Sequence, residues 1–145
     1  MYKVYIGSDH AGYSLKEKLR VYLSDLGYEV EDQGAFSFDP NDDYPDFIKP
    51  VAIAVVNDKN SFGIILGGSG EGEQMVANKV DGIRAAEYYG GDLDIVRLAR
   101  EHNDANILSL GARFLNEEQA RNAVKIFLET PFSREVRHQR RINKM

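Results

Sequence analysis

The chain alternates short apolar runs with amphipathic segments. Val4 and Ile6 alternate with polar neighbours over residues 2–7, which predicts a first strand that stops at Gly7. The next segment repeats leucine at helical spacing and ends at Gly27, with its apolar positions at Leu15, Leu19, Leu23 and Leu26. A strand followed directly by a helix is the first half of a βαβ unit.

The same alternation continues to the C-terminus. Further strands are predicted at 29–32, 63–66, 83–86 and 105–110, and helices at 47–55, 73–79, 94–100 and 117–128. Residues 34–45 form a loop, and a last helix is expected over about 133–144 with Ser133 as its N-cap. The pattern predicts one α/β domain spanning residues 1–145, a three-layer α/β/α sandwich with a central parallel sheet of about five strands.

Composition narrows the classes of function. The 145 residues include no cysteine, which excludes disulfides, thiolate metal sites and a cysteine nucleophile. No apolar run approaches the ~18 residues of a membrane span, so we expect a soluble cytoplasmic protein without membrane contact. The net charge of −5 combines an acidic body with a basic end at 134–145, and the acidic body argues against a nucleic-acid partner.

Two motifs follow predicted strands, where ligands of open α/β sheets bind. The first, GSDHAG at 7–12, places Asp9 and His10 before a helix, where they act either as a helix cap or on a sugar hydroxyl and a phosphate. The second, GGSGEGE at 67–73, offers backbone N–H donors for a phosphate or an enolate oxygen. Glu73 beside those donors fits a base, whereas Glu71 between two glycines is expected to be solvated.

Two further segments carry polar chemistry. REHNDAN at 100–106 combines a proton shuttle, His102, with an amide that reads hydroxyls, Asn103, although both also suit a helix C-terminus. In the basic end Arg134, Arg137 and Arg141 recur at i, i+3 and i+7, so they share a helical face that is either solvated or a phosphate clamp joined by Arg113.

These groups together favour one reaction class. We expect them to share one functional edge of the sheet, with a carboxylate next to oxyanion donors, proton shuttles, an amide and arginines. No histidine cluster with metal-ligand spacing is present, and no hydride-carrier fingerprint is evident. That set suits proton transfer next to a carbonyl in a phosphorylated small molecule, as in an aldose–ketose isomerase working through an enediol.

Several long motifs resemble one known family from end to end and in the same order. They are GSDHAG at 7–12, DYPD at 43–46, GGSGEGEQMVANK at 67–79, REHNDAN at 100–106, GAR at 111–113 and RHQRR at 137–141. They are similar to ribose-5-phosphate isomerase B, in the RpiB/LacA/LacB sugar-phosphate isomerase family. The resemblance implies a Rossmann-like fold, interconversion of ribose 5-phosphate and ribulose 5-phosphate in the pentose phosphate pathway, no metal or other cofactor, and homodimers or in some cases homotetramers with active sites at the subunit interface.

The resemblance also implies residue roles. Glu73 would move the proton between C1 and C2, His102 aided by Asp9 would open the ring, and Ser69 with the loop backbone would stabilise the enediolate. Asn103 would read hydroxyls, and Tyr44 would line the pocket. The remaining substrate contacts would come from the loop and from phosphate-holding cations: Gly68, Gly70, Glu71, Gly72, His10, Arg113, Arg137 and Arg141.

Two departures from the family pattern stand out. Many members have a cysteine base just before the glycine-rich loop, where this chain has Gly67, so the sequence matches the branch that uses a glutamate, Glu73. A glutamate base needs a raised pKa to work near neutrality. The loop at 87–92, EYYGGD, is acidic and longer than usual, which either alters sugar specificity or is a surface or interface variant, the second being favoured.

Other functions remain open on the sequence alone. Within the same class, the substrate could be a hexose 6-phosphate such as allose or galactose 6-phosphate. A flavodoxin-like nucleotide- or phosphate-binding module without turnover would explain the fold and the glycine-rich loop, but it leaves Glu73 and His102 without a role. A nucleic-acid binder rests on the basic end only.

Overall fold

The computed structural model describes all residues, 1–145, and contains one parallel five-stranded sheet. The strands are β1 (Lys3–Ser8), β2 (Glu29–Asp32), β3 (Ser61–Gly67), β4 (Ala85–Tyr88) and β5 (Ile107–Gly111). They lie in the order β2-β1-β3-β5-β4. The predicted count of strands and their parallel direction are confirmed.

Six helices cover the sheet on both faces. They are α1 (His10–Asp25), α2 (Pro45–Asn57), α3 (Glu71–Asn78), α4 (Asp94–Asn103), α5 (Glu117–Glu129) and α6 (Val136–Ile142). Apolar side chains of α1, α4 and α5, such as Leu19, Val96 and Phe127, pack on one face. Those of α2 and α3, such as Val51 and Ala77, pack on the other. This is the predicted Rossmann-like α/β/α sandwich. None of the helices has both the length and the apolar character needed to cross a lipid bilayer.

The strand order places the loops after β1 and β3 side by side. The chain leaves β1 toward β2 on one side, and β3 lies on the other side of β1, so the order reverses between them. Such a reversal opens a crevice at the carboxyl ends of the strands. All seven residues of β3 are buried, as expected for a central parallel strand covered on both faces.

Three predicted elements begin two or three residues later than expected. One is the fifth strand, which begins at Ile107 rather than at 105, because the backbone N–H of Ala105 donates to the carbonyl of Ala99 in α4. The fourth strand begins two residues later than predicted, because the backbone N–H of Arg84 is held by the side chain of Asn106 before the ladder starts. The last helix begins at Val136, and Ser133 is not its N-cap: Arg134 has a left-handed backbone (φ 60°), which a helix cannot contain, and Glu135 is the cap residue.

Candidate active site

Asp9 lies at the end of β1 and begins α1. Its carboxylate accepts hydrogen bonds from the backbone N–H groups of Ala11 (3.0 Å) and Gly12 (3.3 Å), so it caps the helix. The residue is only 6 % exposed. The helix-cap interpretation of this motif is confirmed: one oxygen of the buried carboxylate holds both N–H groups, and a role on the substrate stays a prediction.

His10 is paired with a partner that the sequence pattern did not single out. Its Nδ1 lies 2.7 Å from Oδ1 of Asp42, and its backbone N–H donates to the same oxygen at 3.1 Å. The hydrogen bond to Asp42 raises the pKa of His10, partial burial opposes this, and the charge of Asp9 adds to the rise. A histidine with a raised pKa stays cationic to higher pH, which suits a phosphate ligand.

Asp9, His10 and Asp42 also bring three ligand atoms within 4.8 Å of one another. Their contacts do not fit a metal site. One oxygen of Asp9 holds two helix N–H groups, and one oxygen of Asp42 already holds the ring and backbone nitrogens of His10. The hydrogen bond to Asp42 also raises the pKa of His10, which opposes metal binding by the ring, because only a neutral imidazole ligates a cation.

The glycine-rich loop between β3 and α3 presents unused hydrogen-bond donors. The backbone N–H groups of Gly68, Ser69 and Gly70 have no acceptor in the chain, while Ser69 Oγ accepts from the N–H of Glu71 at 3.2 Å. Gly70 has a left-handed backbone (φ 81°), which turns the chain into the helix at low cost only for glycine. The loop therefore offers amides to a negatively charged oxygen, as expected.

Glu73 sits in the first turn of α3 and points back toward the end of β3. It is only 4 % exposed. Its carboxyl fills the volume above Gly67, so that a Cβ at position 67 would overlap the carboxyl atoms. Burial raises the pKa of Glu73, its own backbone N–H lowers it, and the charge of Asp9 raises it further. The raised pKa that a glutamate base needs is thus present, and Glu71 is exposed as expected.

Two side chains flank the glycine-rich loop. The guanidinium of Arg113, just past β5, packs over Gly68, where a Cβ would lie 3.1 Å from its Nη1. Its positive charge also acts on His10, whose pKa it lowers slightly, so the two cations face one region. Tyr44 lies over Gly72, with its hydroxyl 2.7 Å from a Cβ built there. Asp9, His10, Tyr44, Glu73, Arg113 and the loop residues 68–72 form what we call the carboxyl-edge cluster.

The structure corrects the expected placement of His102 and Asn103. They end α4, which runs back from the carboxyl edge of the sheet, and β5 begins only four residues later at Ile107. They therefore lie at the amino edge, where the Asn103 carbonyl accepts from Nε of Arg84 at 3.0 Å. One chain does not bring all predicted groups to one edge.

The phosphate-clamp arginines of α6 lie beside His102, away from the carboxyl-edge cluster. The ring of His138 on α6 stacks on that of His102, with centroids 4.2 Å apart and an angle of 16° between planes. Arg137 and Arg141 of α6 are exposed, and Arg137 pairs with Glu135. Arg134 precedes the helix and leaves the predicted common face. We call His102, Asn103, Arg137, His138 and Arg141 the amino-edge cluster.

The two clusters are too far apart to meet on one small ligand. At about 3.3 Å per residue, the seven residues of β3 separate the two edges by about 20 Å. A pentose phosphate is a chain of about eight bonds of roughly 1.5 Å each, which is much shorter even when extended. A single chain therefore does not bring both clusters onto one such ligand.

A cavity of about 710 Å³ also opens at the amino edge, between the starts of the strands and residues 131–134. Its buried arginine, Arg100, is already committed to Asp104 at 2.9 Å and to the carbonyl of Ala105 at 2.5 Å. Arg84 likewise donates to the carbonyl of Asp104. The lining also includes the carboxylates of Asp58, Asp81 and Asp104, but none of the three is fully buried and no histidine lines the cavity.

Sequence reasoning missed two side chains of the carboxyl-edge region. Asp42 lies in the acidic run DPNDDYPD, in which no pattern distinguishes one carboxylate from the next. Glu87 was placed in a surface loop, but it belongs to β4, and both its carboxyl oxygens are buried without a hydrogen-bond partner. The two-residue shift of that strand was the cause of the error.

The fold and the carboxyl-edge cluster define a class of protein: an α/β enzyme with a buried carboxyl group beside free backbone donors and two basic side chains. The profile of the family described as Ribose/Galactose Isomerase matches residues 4–145. The chain belongs to this family.

Individual relatives agree with the family assignment. Ribose-5-phosphate isomerase B of Mycolicibacterium paratuberculosis is 46% identical over 141 residues, which cover 97% of this chain and 87% of that protein. The Thermotoga maritima ribose 5-phosphate isomerase structure superposes with a TM-score of 0.92 at 46% identity, covering 99% of this chain and 96% of the other. The Mycoplasma genitalium ribose-5-phosphate isomerase B with bound ribulose-5-phosphate superposes with a TM-score of 0.92 at 40% identity, covering 99% and 93%.

Proposed function

We propose that this protein is an aldose–ketose isomerase that interconverts D-ribose 5-phosphate and D-ribulose 5-phosphate. The observation that carries the proposal is the buried carboxyl of Glu73 beside the free N–H groups of the glycine-rich loop. Its relatives that are 46% identical are ribose-5-phosphate isomerases B, and a relative of the same fold was solved with ribulose-5-phosphate. The charged metabolite substrate and the family favour the cytoplasm and the pentose phosphate pathway as its setting.

Glu73 is the base in this proposal. The reaction moves one proton between C1 and C2 of the open-chain sugar, so a carboxylate with a raised pKa takes it from one carbon and returns it to the other. Burial raises the pKa of Glu73 toward the range in which both steps proceed at neutral pH. Its carboxyl takes the space at position 67 that would otherwise hold a side chain, which supports assignment to the glutamate branch of the family.

The loop amides complete the proton transfer. Removing the proton places negative charge on the carbonyl oxygen, and the N–H groups of Gly68, Ser69 and Gly70 are free to donate to it. Donors fixed in place before the reaction stabilise such an oxygen without rearranging during the step. Ser69 contributes its backbone, while its hydroxyl organises the N–H of Glu71.

Phosphate binding is assigned to cations from both clusters. His10, kept cationic by Asp42, and Arg113 supply positive charge at the carboxyl edge. Arg137 and Arg141 supply guanidinium groups at the amino edge, where planar forks match phosphate oxygens. Tyr44 over Gly72 borders the space between base and phosphate.

A homodimer unites the two clusters. With the amino-edge cluster of one protomer facing the carboxyl-edge cluster of its partner, His102 and Asn103 reach the sugar bound beside Glu73, and the phosphate is held from both sides. His102 then opens the ring with Asp9 near the same oxygens. The roughly 20 Å between the clusters within a chain supports this arrangement, because one chain alone lacks a complete site. Two sites per dimer follow from two-fold symmetry.

The test is an isomerase assay of the purified chain, with EDTA, on ribose 5-phosphate, ribulose 5-phosphate, allose 6-phosphate and galactose 6-phosphate. We expect the pentose phosphates to give the highest kcat/KM. In heavy water, solvent deuterium should appear at C2 of the aldose phosphate. A strong preference for a hexose phosphate would overturn the pentose assignment. Absence of turnover and of exchange on all four would favour a binding module.

The base assignment has its own test. Glu73→Gln keeps the size of the side chain but removes its basicity, so kcat should fall roughly 100- to 10,000-fold while sugar-phosphate binding persists. Glu118→Gln changes an exposed glutamate of α5 in the same way and serves as the matched control. Near-normal turnover in Glu73→Gln would show that another group is the base.

A further inference from the structure

The carboxyl of Glu87 is buried directly beneath the glycine-rich loop. A Cβ built on Gly70 would lie 2.7 and 2.8 Å from its two carboxyl oxygens, so the group packs against the backbone that begins α3. Both oxygens are inaccessible to solvent and have no hydrogen-bond partner in the chain. Gly70 is the N-cap of the helix that carries Glu73 three residues later.

The surroundings of this carboxyl contain no counter-charge. The charged groups acting on it come from α3, Glu71 and Glu73, and both are acidic. From β5 it meets the hydroxyl of Ser109, its partner in the strand register. Burial raises the pKa of Glu87 to about 8, helped by the charges of Glu71 and Glu73 and opposed by Ser109. At neutral pH the group therefore holds a proton.

Ser109 connects this proton to the loop. Its hydroxyl donates to the carbonyl of Gly70 at 2.7 Å, and that carbonyl also accepts from the N–H of Gln74 in α3. A hydroxyl that donates its only hydrogen keeps lone pairs free, so a neutral Glu87 beside it can donate to Ser109. A neutral Glu87 then completes a buried chain of hydrogen bonds that runs through Ser109 to the carbonyl of Gly70, with every donor matched to an acceptor. An ionised Glu87 would instead leave a buried charge unpaired.

We infer that Glu87 is a positioning residue of the isomerase site and acts in its neutral, protonated form, holding Gly70 and the start of α3 where the loop amides and Glu73 serve the proton transfer. Ionisation places a further negative charge beneath the loop on which the enediolate charge develops, and thereby slows the reaction. This inference rests on the proposed function for its effect on rate. It assigns a role to the edge strand β4 rather than to the loop that follows it.

The first test compares pH profiles of kcat. Wild type should show a decline with an apparent pKa near 8, and Glu87→Gln, a permanently neutral side chain of the same size, should remove that decline while keeping kcat at neutral pH within about threefold. Glu118→Gln, which changes an exposed glutamate of α5, should keep the decline. Profiles of wild type and Glu87→Gln that superimpose would overturn the inference, because a purely structural role would not be tied to the proton.

The second test does not depend on turnover. Infrared spectra of protein labelled with ¹³C-glutamate should show a carboxylic-acid C=O band at neutral pH in the Glu73→Gln background, which disappears near pH 8 and is absent when Glu87→Gln is added. Lack of that band in folded Glu73→Gln protein would refute a neutral Glu87, whether or not the protein that also carries Glu87→Gln folds. If the band is present but ribose 5-phosphate is not isomerised, the proposed function fails and the protonation stands.

Discussion

The carboxyl of Glu73 fills the volume that a side chain at position 67 would take, and Gly67 keeps that volume open. The two positions are therefore coupled: a base can stand at one of them only if the other is small. Because Gly67 ends the central strand and Glu73 lies in the first turn of the next helix, the coupling joins two rigid elements. This relationship leads to the first prediction.

Gly67→Ala should displace the Glu73 carboxyl and lower kcat by about 100-fold, since misplacing a catalytic group by about 1 Å costs that much. Steady-state kinetics and thermal unfolding together check this, because the melting transition should remain cooperative. The paired substitution Gly67→Cys with Glu73→Ala puts a thiol into the vacated space. Its kcat should exceed that of Glu73→Ala alone by about tenfold or more. Equal rates for Glu73→Ala and the pair would refute the coupling.

Subunit mixing tests whether the two clusters of one site belong to different chains. Glu73→Gln and His102→Ala homodimers should each be nearly inactive. After the two are unfolded together and refolded, each heterodimer would combine an intact Glu73 from one chain with an intact His102 from the other. Random pairing then restores about a quarter of wild-type activity, since half of the dimers carry one good site of two. Activity that stays at the level of the separate variants would show that each site lies within one chain.

Phosphate affinity should depend on the His10–Asp42 pair. Asp42 raises the pKa of His10, so the imidazolium, and its attraction for phosphate, is present at low pH and is lost as the pH rises through that raised value. Asp42→Asn moves the loss to lower pH and should raise KM by about tenfold near neutrality, with a smaller effect on kcat. The check is KM for ribose 5-phosphate measured between about pH 5 and 8. A KM ratio between variant and wild type that is independent of pH would contradict this role.

Lys16 should matter for stability rather than for catalysis. Its side chain is fully buried, and Nζ lies 2.7–2.8 Å from both oxygens of Asp32. Lys16→Met leaves Asp32 buried with fewer partners and should lower the free energy of unfolding by about 3 kcal/mol, measured by urea denaturation. Adding Asp32→Asn to Lys16→Met should recover at least half of that loss. The control Lys18→Met changes a lysine on the exposed side of α1 and should have little effect on the free energy of unfolding. A double variant no more stable than the single would exclude a charge effect.

Local pattern predicted most of the fold correctly and indicated part of the candidate site. The apolar periods located every strand and helix, because each element buries one face or a short continuous run. The glycine-rich loop and Glu73 were identified because glycine spacing and strand ends mark such loops directly. The starts of β4, β5 and α6 were wrong. The hydrogen bonds that Arg84 N–H donates to the Asn106 side chain and Ala105 N–H donates to the Ala99 carbonyl, and the left-handed Arg134, set them, and none of these leaves an apolar signal.

The placement of His102 failed for a different reason. Its motif comes before a strand rather than after one, and in a parallel sheet that order assigns it to the amino edge. The chemistry of the residue suggested a shared site, and the direction of the chain was the better guide. Two other features depended on contacts between residues distant in sequence. One is which carboxylate pairs with His10, and the other is the burial of Glu87.

In the homodimer proposed above, dividing the site between the two ends of the sheet makes catalysis a property of assembly. A lone chain can be fully folded and still be inert toward its substrate, so specific activity should fall on dilution once protomers separate, although each remains native. A substitution in α6 would then damage the active site of the neighbouring protomer and leave the carboxyl-edge cluster of its own chain unchanged.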